Sequence, residues 1–208
     1  MLKGCYHKLM EGGVVMNETE LIKKCQKGDT KAFSDLVLKY ERRFINYAFK
    51  MLKDESLAQD AVQDAFLRIY RKIDTYSGNA AFSTWAYTVL NNICLDILRK
   101  KKRTGENTYI SINQESKDDE EYEIQIEDNS AEPFDSYKKK AAMEALYSAL
   151  DEMSEEHREV IVMRDLNGFD YEKIAKITNT SLGTVKSRIS RARLALRKIL
   201  EKDRELFS

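Results

Sequence analysis

The sequence predicts an all-α protein with two small helical domains. Residues that interrupt helices are scarce, because the 208 residues include one proline and 8 glycines. Apolar residues recur at steps of three and four in several long segments, which is the spacing of amphipathic helices. One stretch, residues 104–136, lacks that spacing and is strongly acidic. These three observations favour two helical domains on an acidic flexible linker over an all-β fold.

Charge is segregated along the chain, although the formal net charge is zero. Residues 104–136 contain 11 acidic residues and one basic residue, whereas residues 17–103 and 137–208 carry net charges of +6 and +3. We therefore interpret residues 104–136 as a linker between a first domain, 17–103, and a second domain, 137–208. The alternative is a structured acidic loop on a single domain. Residues 1–16 are expected to be a disordered leader or an artefact of an upstream start.

Several functional classes find little support in the composition. No run of 18 apolar residues occurs, and residues 1–16 lack the apolar core and cleavage site of a secretion signal, so we expect a cytoplasmic protein. The three cysteines, Cys5, Cys25 and Cys94, show no metal-ligand spacing and are expected to be reduced. The two histidines have no neighbouring nucleophile. We therefore expect no catalytic residues, no metal, no cofactor and no small-molecule substrate.

The first domain begins with two predicted helices that have clear start signals. Asn17 is a suitable cap for a short helix that ends at Gly28, and Asp29 is a suitable cap for a longer one. The apolar stripe of the longer helix, which we expect to be core, comprises Phe33, Leu36, Val37, Tyr40, Phe44, Tyr47, Ala48 and Met51.

A third helix is predicted from about Glu55 to Ile73. Its expected inward residues are Leu57, Ala61, Val62, Phe66, Ile69, Tyr70 and Ile73. Asp60, Gln63 and Asp64 lie on another, polar face. Taken alone, such a face is most simply a solvated surface.

A fourth helix is predicted from about Phe82 to Arg103, after a break that contains Gly78. Aromatic residues cluster around this break, and they are Tyr76, Phe82, Trp85 and Tyr87. Aromatic rings beside cations are typical of single-strand binding sites, where stacking contributes about 1–3 kcal/mol per base. Core packing is the simpler explanation of the same rings, and Trp85 is compatible with both.

The second domain contains the signature of a helix-turn-helix. Helices are predicted over Ala141–Met153, from Ser154 to Asn167-Gly168, from Asp170 to Thr178 and from Leu182 to about Lys202. Between the last two helices, Asn179 tolerates a left-handed turn and Ser181 can cap the helix that follows. Small Ala175 allows the two helices to approach closely.

The last predicted helix has one apolar face and one basic face. The expected inward stripe is Val185, Ile189, Ala192, Leu196 and Ile199. Residues 186–198 include six cations and no acid. The N-terminal part of such a helix enters the major groove of DNA, where the residues able to reach bases or phosphates are Thr184, Lys186, Ser187, Arg188 and Arg191. The alternative is a solvated amphipathic helix.

Three sets of motifs follow one another along the chain. They are Asp60–Phe66; then Phe82–Trp85 with Asn92, Asp96 and Arg99; then Tyr171–Ala175, Gly183–Arg188 and Arg191–Arg193. In this order and spacing the chain resembles the bacterial extracytoplasmic-function (ECF) sigma factors, group 4 of the primary sigma family. The resemblance covers nearly all of the sequence after Met16.

The resemblance implies that residues 17–103 are sigma region 2 and residues 137–208 are sigma region 4. The implied partner is bacterial core RNA polymerase, contacted at its β′ clamp coiled coil and β flap. The residues implied to bind the core are Asp60, Gln63, Asp64 and Phe66. Those implied to bind an opened −10 element with a flipped base are Tyr76, Ser77, Gly78, Asn79, Ala80, Trp85, Asn92, Asp96 and Arg99. Those implied to bind the −35 element are Thr184, Lys186, Ser187, Arg188, Arg191 and Arg193.

The family pattern implies further expectations. The protein would direct polymerase to promoters, while the polymerase carries out the chemistry. The free chain would be a monomer, or would form a 1:1 complex with an anti-sigma factor. The acidic linker could thread the positively charged RNA channel of the polymerase.

Two other functions compete with this interpretation. A stand-alone helix-turn-helix regulator would bind duplex DNA tightly without polymerase. A nucleic-acid-modifying enzyme would need clustered metal ligands, but Asp60 and Asp64 have no evident third partner.

Overall fold

The computed structural model describes residues 17–104 and 133–202 of the chain, and the elements in these two ranges are helices and the turns between them. Within these ranges, no helix is both long enough and apolar enough to cross a membrane. The expectations for the leader, for Cys5 and for most of the acidic linker lie outside the described residues.

The first domain consists of four α-helices. They are α1 (Glu18–Gln26), α2 (Thr30–Leu52), α3 (Glu55–Lys72) and α4 (Phe82–Thr104). A single 3₁₀ turn, Ile73–Thr75, follows α3. A loop then leads to α4, which runs into the basic end of the domain.

The predicted start signals of α1 and α2 are confirmed. The Asn17 side chain accepts a hydrogen bond from the backbone N–H of Thr19. The Asp29 carboxylate accepts two, from the backbone N–H groups of Lys31 and Ala32, each at 3.0 Å. Gly28 between the two helices has a φ of +85°, a conformation that favours glycine. Local chemistry therefore determines where both helices begin.

Helix α2 is the centre of the first domain and packs against α1, α3 and α4. Its predicted stripe is buried from Leu36 to Met51, with the exception of Val37. Val37 and Phe33 are only partly buried, because they line a groove between α2 and α3.

The prediction for the inner face of α3 is wrong at Tyr70, whose ring is 45% exposed. Ala58 and Ala65, which were not predicted to face inward, are fully buried together with the predicted Ala61. These small side chains let the α3 backbone approach its neighbours closely, which centres the buried stripe on them. Tyr70 consequently lies at the edge of that stripe, against the ring of Phe33.

The described part of the second domain also consists of four α-helices. They are α5 (Pro133–Glu152), α6 (Glu155–Ile161), α7 (Tyr171–Thr178) and α8 (Leu182–Leu200), with a π turn, Val162–Leu166, after α6. Helix α5 starts at Pro133, inside the segment predicted to be linker. Proline is favoured at the first helical position because a backbone N–H there has no acceptor within the helix, so its absence costs no hydrogen bond.

The predicted helix-turn-helix is present in α7 and α8. Its caps are side-chain oxygens, since Asp170 accepts from the backbone N–H of Lys173 and Ser181 accepts from that of Thr184. Asn179 adopts the left-handed conformation at a φ of +50°. The inward stripe of α8 is buried at Val185, Ile189 and Ala192 and half-buried towards the end of the helix.

The two domains pack directly on one another, which the sequence did not predict. The Nζ atom of Lys50 on α2 donates to the carbonyl oxygen of Leu166 at 2.7 Å. The Nδ2 atom of Asn91 on α4 donates to Oε1 of Glu159 on α6 at 2.6 Å. Buried residues of both domains form one continuous apolar cluster. We refer to this surface as the interdomain contact.

Cys25 and Cys94 are buried and unpaired. Burial raises the pKa of both thiols, and that of Cys94 to about 12. Because the thiolate is the reactive form of cysteine, both side chains are chemically quiet in the folded protein.

The cap of α2 leads to the first prediction. Asp29→Ala removes the acceptor for two backbone N–H groups, so we expect the free energy of unfolding to fall by about 1 kcal/mol. Asp29→Asn is the matched control, because asparagine keeps a side-chain oxygen in the same place. Urea denaturation followed by circular dichroism measures both variants. Equal losses in the two would contradict the capping role.

Candidate nucleic-acid interface

The polar face of α3 is exposed as a continuous surface. Asp60 and Gln63 are exposed, and Asp64 is half-buried and paired with Arg68 through a 2.8 Å ion pair. Phe66, the fourth residue predicted to bind the core, is partly buried, and its ring stacks on that of Phe44 with centroids 5.2 Å apart. The structure therefore presents three of these side chains to solvent and uses Phe66 mainly for packing.

An apolar groove lies beside this polar face, and the sequence analysis did not identify it. The groove has a volume of about 740 Å³ and runs between α2 and α3. Leu67 is 55% exposed on its rim. Leu67 follows Gln63 by four residues and Asp60 by seven, so all three share one face of the helix. That spacing, together with the apolar character of Leu67, is the feature of the sequence that could have indicated this surface.

The loop before α4 is held at its base and open at its tip. The Nε2 atom of Gln26 donates to the carbonyl oxygens of Ile73 and Tyr76, at 3.0 and 2.9 Å. The Tyr76 hydroxyl donates to the carbonyl oxygen of Ala80 at 2.6 Å, which closes the loop. Gly78 has a φ of +79° at the tip. The residues between Tyr76 and Ala80 are exposed.

The aromatic cluster around this loop divides into core and surface rings. Phe82 and Tyr87 are buried, at 3% and 5% exposure, so the expectation that they stack on bases is not supported. Tyr76 and Trp85 are half-buried and in contact, with ring centroids 5.4 Å apart. Burial raises the pKa of the Tyr76 phenol. This pair forms an aromatic surface next to the loop.

The predicted polar residues of α4 lie on one exposed face. Asn92, Asp96 and Arg99 are separated by four and three residues, which places them above one another on the helix. Arg99 pairs with Asp96 at 3.5 Å and, across the interdomain contact, with Glu155 at 3.5 Å. The basic residues that follow are largely exposed and extend this face towards the end of α4.

The residues of α8 that are predicted to contact DNA fall into two groups. Lys186, Ser187 and Arg191 are exposed, whereas Thr184 is partly buried and its hydroxyl contacts Ser181 at 2.8 Å. This group forms an open surface near the start of the helix.

The other two predicted residues of α8 are engaged with carboxylates. Arg188 is only 18% exposed and pairs with Glu156 at 3.6 Å and with Glu159 at 3.8 Å. The Nε atom of Arg193 donates to Asp165 at 3.0 Å. Burial raises the pKa of Glu159, while Arg188 and Asn91 favour its charged form. Both arginines are therefore paired with carboxylates of their own domain, Arg188 in a mostly buried place and Arg193 at the surface.

Comparison with known proteins identifies both domains. Residues 36–104 match the model of sigma-70 region 2, and residues 143–196 match that of sigma-70 region 4. The ECF RNA polymerase sigma factor SigW of Bacillus subtilis is 32% identical over 179 residues, covering 86% of this chain and 94% of SigW. The sigma-H factor of Pseudomonas aeruginosa is 29% identical over 188 residues, covering 88% of this chain and 94% of that protein.

Solved structures share the fold. The structure of CnrH in complex with the cytosolic domain of CnrY has a TM-score of 0.63 at 21% identity and covers 88% of this chain and 97% of its own. The sigma factor RpoE of Bartonella quintana, in complex with NepR, has a TM-score of 0.58 at 24% identity over 82% of this chain and 98% of its own. Two exposed surfaces on a region 2 domain, a helix-turn-helix on a region 4 domain and the match to SigW lead to one conclusion: the chain belongs to the ECF RNA polymerase sigma factors.

Proposed function

We propose that this ECF sigma factor directs RNA polymerase to promoters through three surfaces of its own, one for the polymerase and two for DNA. The observation that carries this assignment is the combination, in one chain, of an anchored loop beside half-buried aromatic rings and a capped helix-turn-helix. A stand-alone helix-turn-helix regulator leaves the region 2 domain without a role. The chemistry belongs to the polymerase.

The first surface comprises the polar face of α3 and the adjoining groove, and its partner is the β′ clamp coiled coil. Coiled coils expose charged side chains beside an apolar seam. Asp60 and Asp64 supply acceptors for basic residues, while Leu67 supplies an exposed apolar contact. Phe66 contributes indirectly, because its ring stacks on that of Phe44 and stabilises the wall of the groove. Interfaces of this kind combine an apolar centre with a charged rim.

The second surface binds the non-template strand of the −10 element. The loop from Tyr76 to Ala80 is closed at its base and exposed at its tip. Backbone groups of this tip and Asn79 hold a base that has left the stack. Tyr76 and Trp85 provide apolar rings at the edge of this pocket. Arg99 and the cations beyond it hold the phosphates. The binding energy for the single strand favours the opened promoter.

The third surface binds the −35 element as duplex DNA. Lys186, Ser187 and Arg191 are the exposed residues near the start of α8, which is the part of a recognition helix that enters the major groove. Arg188 and Arg193 contribute indirectly by keeping α8 in position. We also assign the β flap of the polymerase as a contact of this domain.

The protein acts in the cytoplasm, where bacterial core polymerase is found, and it is held there by an anti-sigma factor. The similar protein CnrH forms a complex with the cytosolic domain of CnrY, and the similar sigma factor RpoE forms one with the anti-sigma factor NepR. The α2–α3 groove is the described surface best suited to such a partner, because Leu67 and Tyr70 offer exposed apolar area. Competition for this groove would keep the protein away from polymerase.

Changing Asp60 and Asp64 together to alanine is expected to weaken binding to core polymerase at least about tenfold, since two charged contacts are lost. Stability should change little because both side chains are at the surface. Size-exclusion co-elution and fluorescence titration measure the effect. The control, Glu20→Ala with Glu201→Ala, removes the same charge from α1 and the end of α8. Unchanged binding of the α3 variant would contradict this docking surface.

Trp85 is the only tryptophan, so its fluorescence reports on the second surface. We expect a −10 non-template single strand to change this emission. Arg99→Ala should weaken that binding and lower the slope of log K against log salt by about 0.7. Arg42→Ala, an exposed arginine on α2, is the matched control. An Arg99 variant with an unchanged salt slope would show that Arg99 does not contact the strand.

Lys186→Ala and Arg191→Ala are each expected to reduce initiation from a promoter with an intact −35 element by about 5- to 100-fold, the range for one lost base or phosphate contact. Lys198→Ala, near the other end of α8, serves as the control and should have a small effect. Abortive initiation assays with the variant holoenzymes measure these rates. Similar effects at all three positions would mean that the start of α8 has no special role.

A further inference from the structure

A cleft lined by cations lies beside the interdomain contact, and we refer to it as the basic cleft. Its volume is about 520 Å³. Small-molecule sites in proteins usually have volumes of about 300–1,000 Å³. The first domain contributes residues of α1, α2 and α4 to its walls, and the second contributes α7 and the segment before α7. The charged residues on these walls are Glu18, Lys39, Arg43, Lys50 and Lys173.

The basic cleft contains more positive charge than its own carboxylate balances. Four cations and one carboxylate give its walls a net charge of +3. Glu18 pairs with Lys39 at a distance of 2.7 Å. Arg43, Lys50 and Lys173 form no ion pair with any residue in the described ranges. Three cations therefore face one space without an anionic partner.

Two of these three cations are held in place by uncharged groups. The Nζ atom of Lys50 donates to a backbone carbonyl oxygen of the second domain at 2.7 Å. The Nζ atom of Lys173 lies over the ring of Phe169, 3.9 Å from its centroid. Burial lowers the pKa of both ammonium groups; for Lys173, Asp170 opposes that shift and the charge of Arg43 adds to it. An anion in the basic cleft would offset this loss of hydration.

The Tyr87 hydroxyl is a further donor in the basic cleft, and it has no partner in the described part of the protein. Tyr87 is 5% exposed, and its hydroxyl forms no hydrogen bond with any described residue. Every fully enclosed side-chain oxygen in these ranges does have a partner, so this hydroxyl must open into the cleft that Tyr87 lines. Buried phenols normally find an acceptor. The acceptor for Tyr87 is therefore expected to come from a ligand.

We propose that the basic cleft is a binding site for a small anion with two linked phosphate groups. Phosphate oxygens accept strong hydrogen bonds from guanidinium and ammonium groups. One phosphate group carries a charge of about −1.5 to −2 near neutral pH, so two of them match the charge of the walls. Arg43 supplies a forked donor, Lys50 and Lys173 supply point charges, and Tyr87 supplies a neutral donor.

This site is separate from the three surfaces proposed for polymerase and DNA, because it shares no residue with them. Its walls come from both domains, so a bound anion contacts both and favours the arrangement in which they pack together. The proposal therefore goes beyond the proposed function. It can be tested on the full-length free chain, without polymerase or promoter DNA, so its failure would leave the proposed function untouched.

Isothermal titration calorimetry of the full chain with pyrophosphate, in magnesium-free buffer at neutral pH, measures the binding. Arg43→Ala is expected to weaken it at least about tenfold, because a charged contact is lost. Arg42→Ala is the matched control, since Arg42 is the neighbouring exposed arginine on α2 and does not line the basic cleft. It removes the same charge and should leave the affinity unchanged.

Tyr87→Phe removes only the hydroxyl group and keeps the ring packing. We expect pyrophosphate binding to weaken about tenfold, the effect of one hydrogen bond to a charged group. The urea midpoint, followed by circular dichroism, should stay the same because this hydroxyl has no partner in the described part of the chain. The affinity loss can then be assigned to the ligand contact rather than to unfolding.

Further ligands distinguish the possible sources of the phosphate groups. Similar affinities for pyrophosphate and GDP would show that the diphosphate alone is recognised, whereas a GDP affinity at least about tenfold higher would assign the site to a nucleotide. Equal affinity for sulfate would indicate an adventitious ion only and would overturn the proposal. Unchanged pyrophosphate binding in both Arg43→Ala and Tyr87→Phe would also overturn it. So would binding of a single-stranded oligonucleotide that depends on Arg43 in a chain that does not bind pyrophosphate.

Discussion

A single buried hydroxyl group constrains much of this molecule. Tyr47 is completely buried at the centre of α2, where its ring contacts those of Tyr87 and Phe169. A phenol in such a place must donate its proton, and it does so to Oδ1 of Asn91 at 2.8 Å. That bond orients the Asn91 amide, whose nitrogen then faces Glu159. A hydrogen-bonding requirement inside the first domain therefore orients one of the side chains that join it to the second.

The same arrangement separates residues that hold the protein together from residues that are free to bind. The sequence alone does not distinguish the arginines that stabilise the fold from those that can bind a partner. Arg158 and Arg188 are enclosed by carboxylates and carbonyl groups, whereas Arg191 is exposed. Buried pairs contribute specificity of arrangement more than net stability. Exposed cations contribute affinity for polyanions at little cost to the fold.

The local structure was largely predictable from the sequence, and its longer-range packing was not. Caps such as Asp29 and Ser181 depend on a few neighbouring atoms, so residue type and spacing suffice. The prediction that Tyr70 faces inward was wrong because helical periodicity indicates only the direction of a side chain. It does not show that small alanines allow closer packing on a different part of the helix. The Asn91–Glu159 contact joins residues 68 positions apart, and no periodic pattern indicates that two polar side chains will be buried against each other.

The Gln26 amide has a consequence for how the first domain is divided. It lies at the end of α1, before the part of the chain that matches region 2 from residue 36 onward, yet it supplies both hydrogen bonds that anchor the base of the loop before α4. A fragment cut at the family boundary would keep every residue of that loop and lose its anchor. The structural unit that supports the loop is thus larger than the segment that matches region 2, and its N-terminal helix braces a surface that it does not itself form.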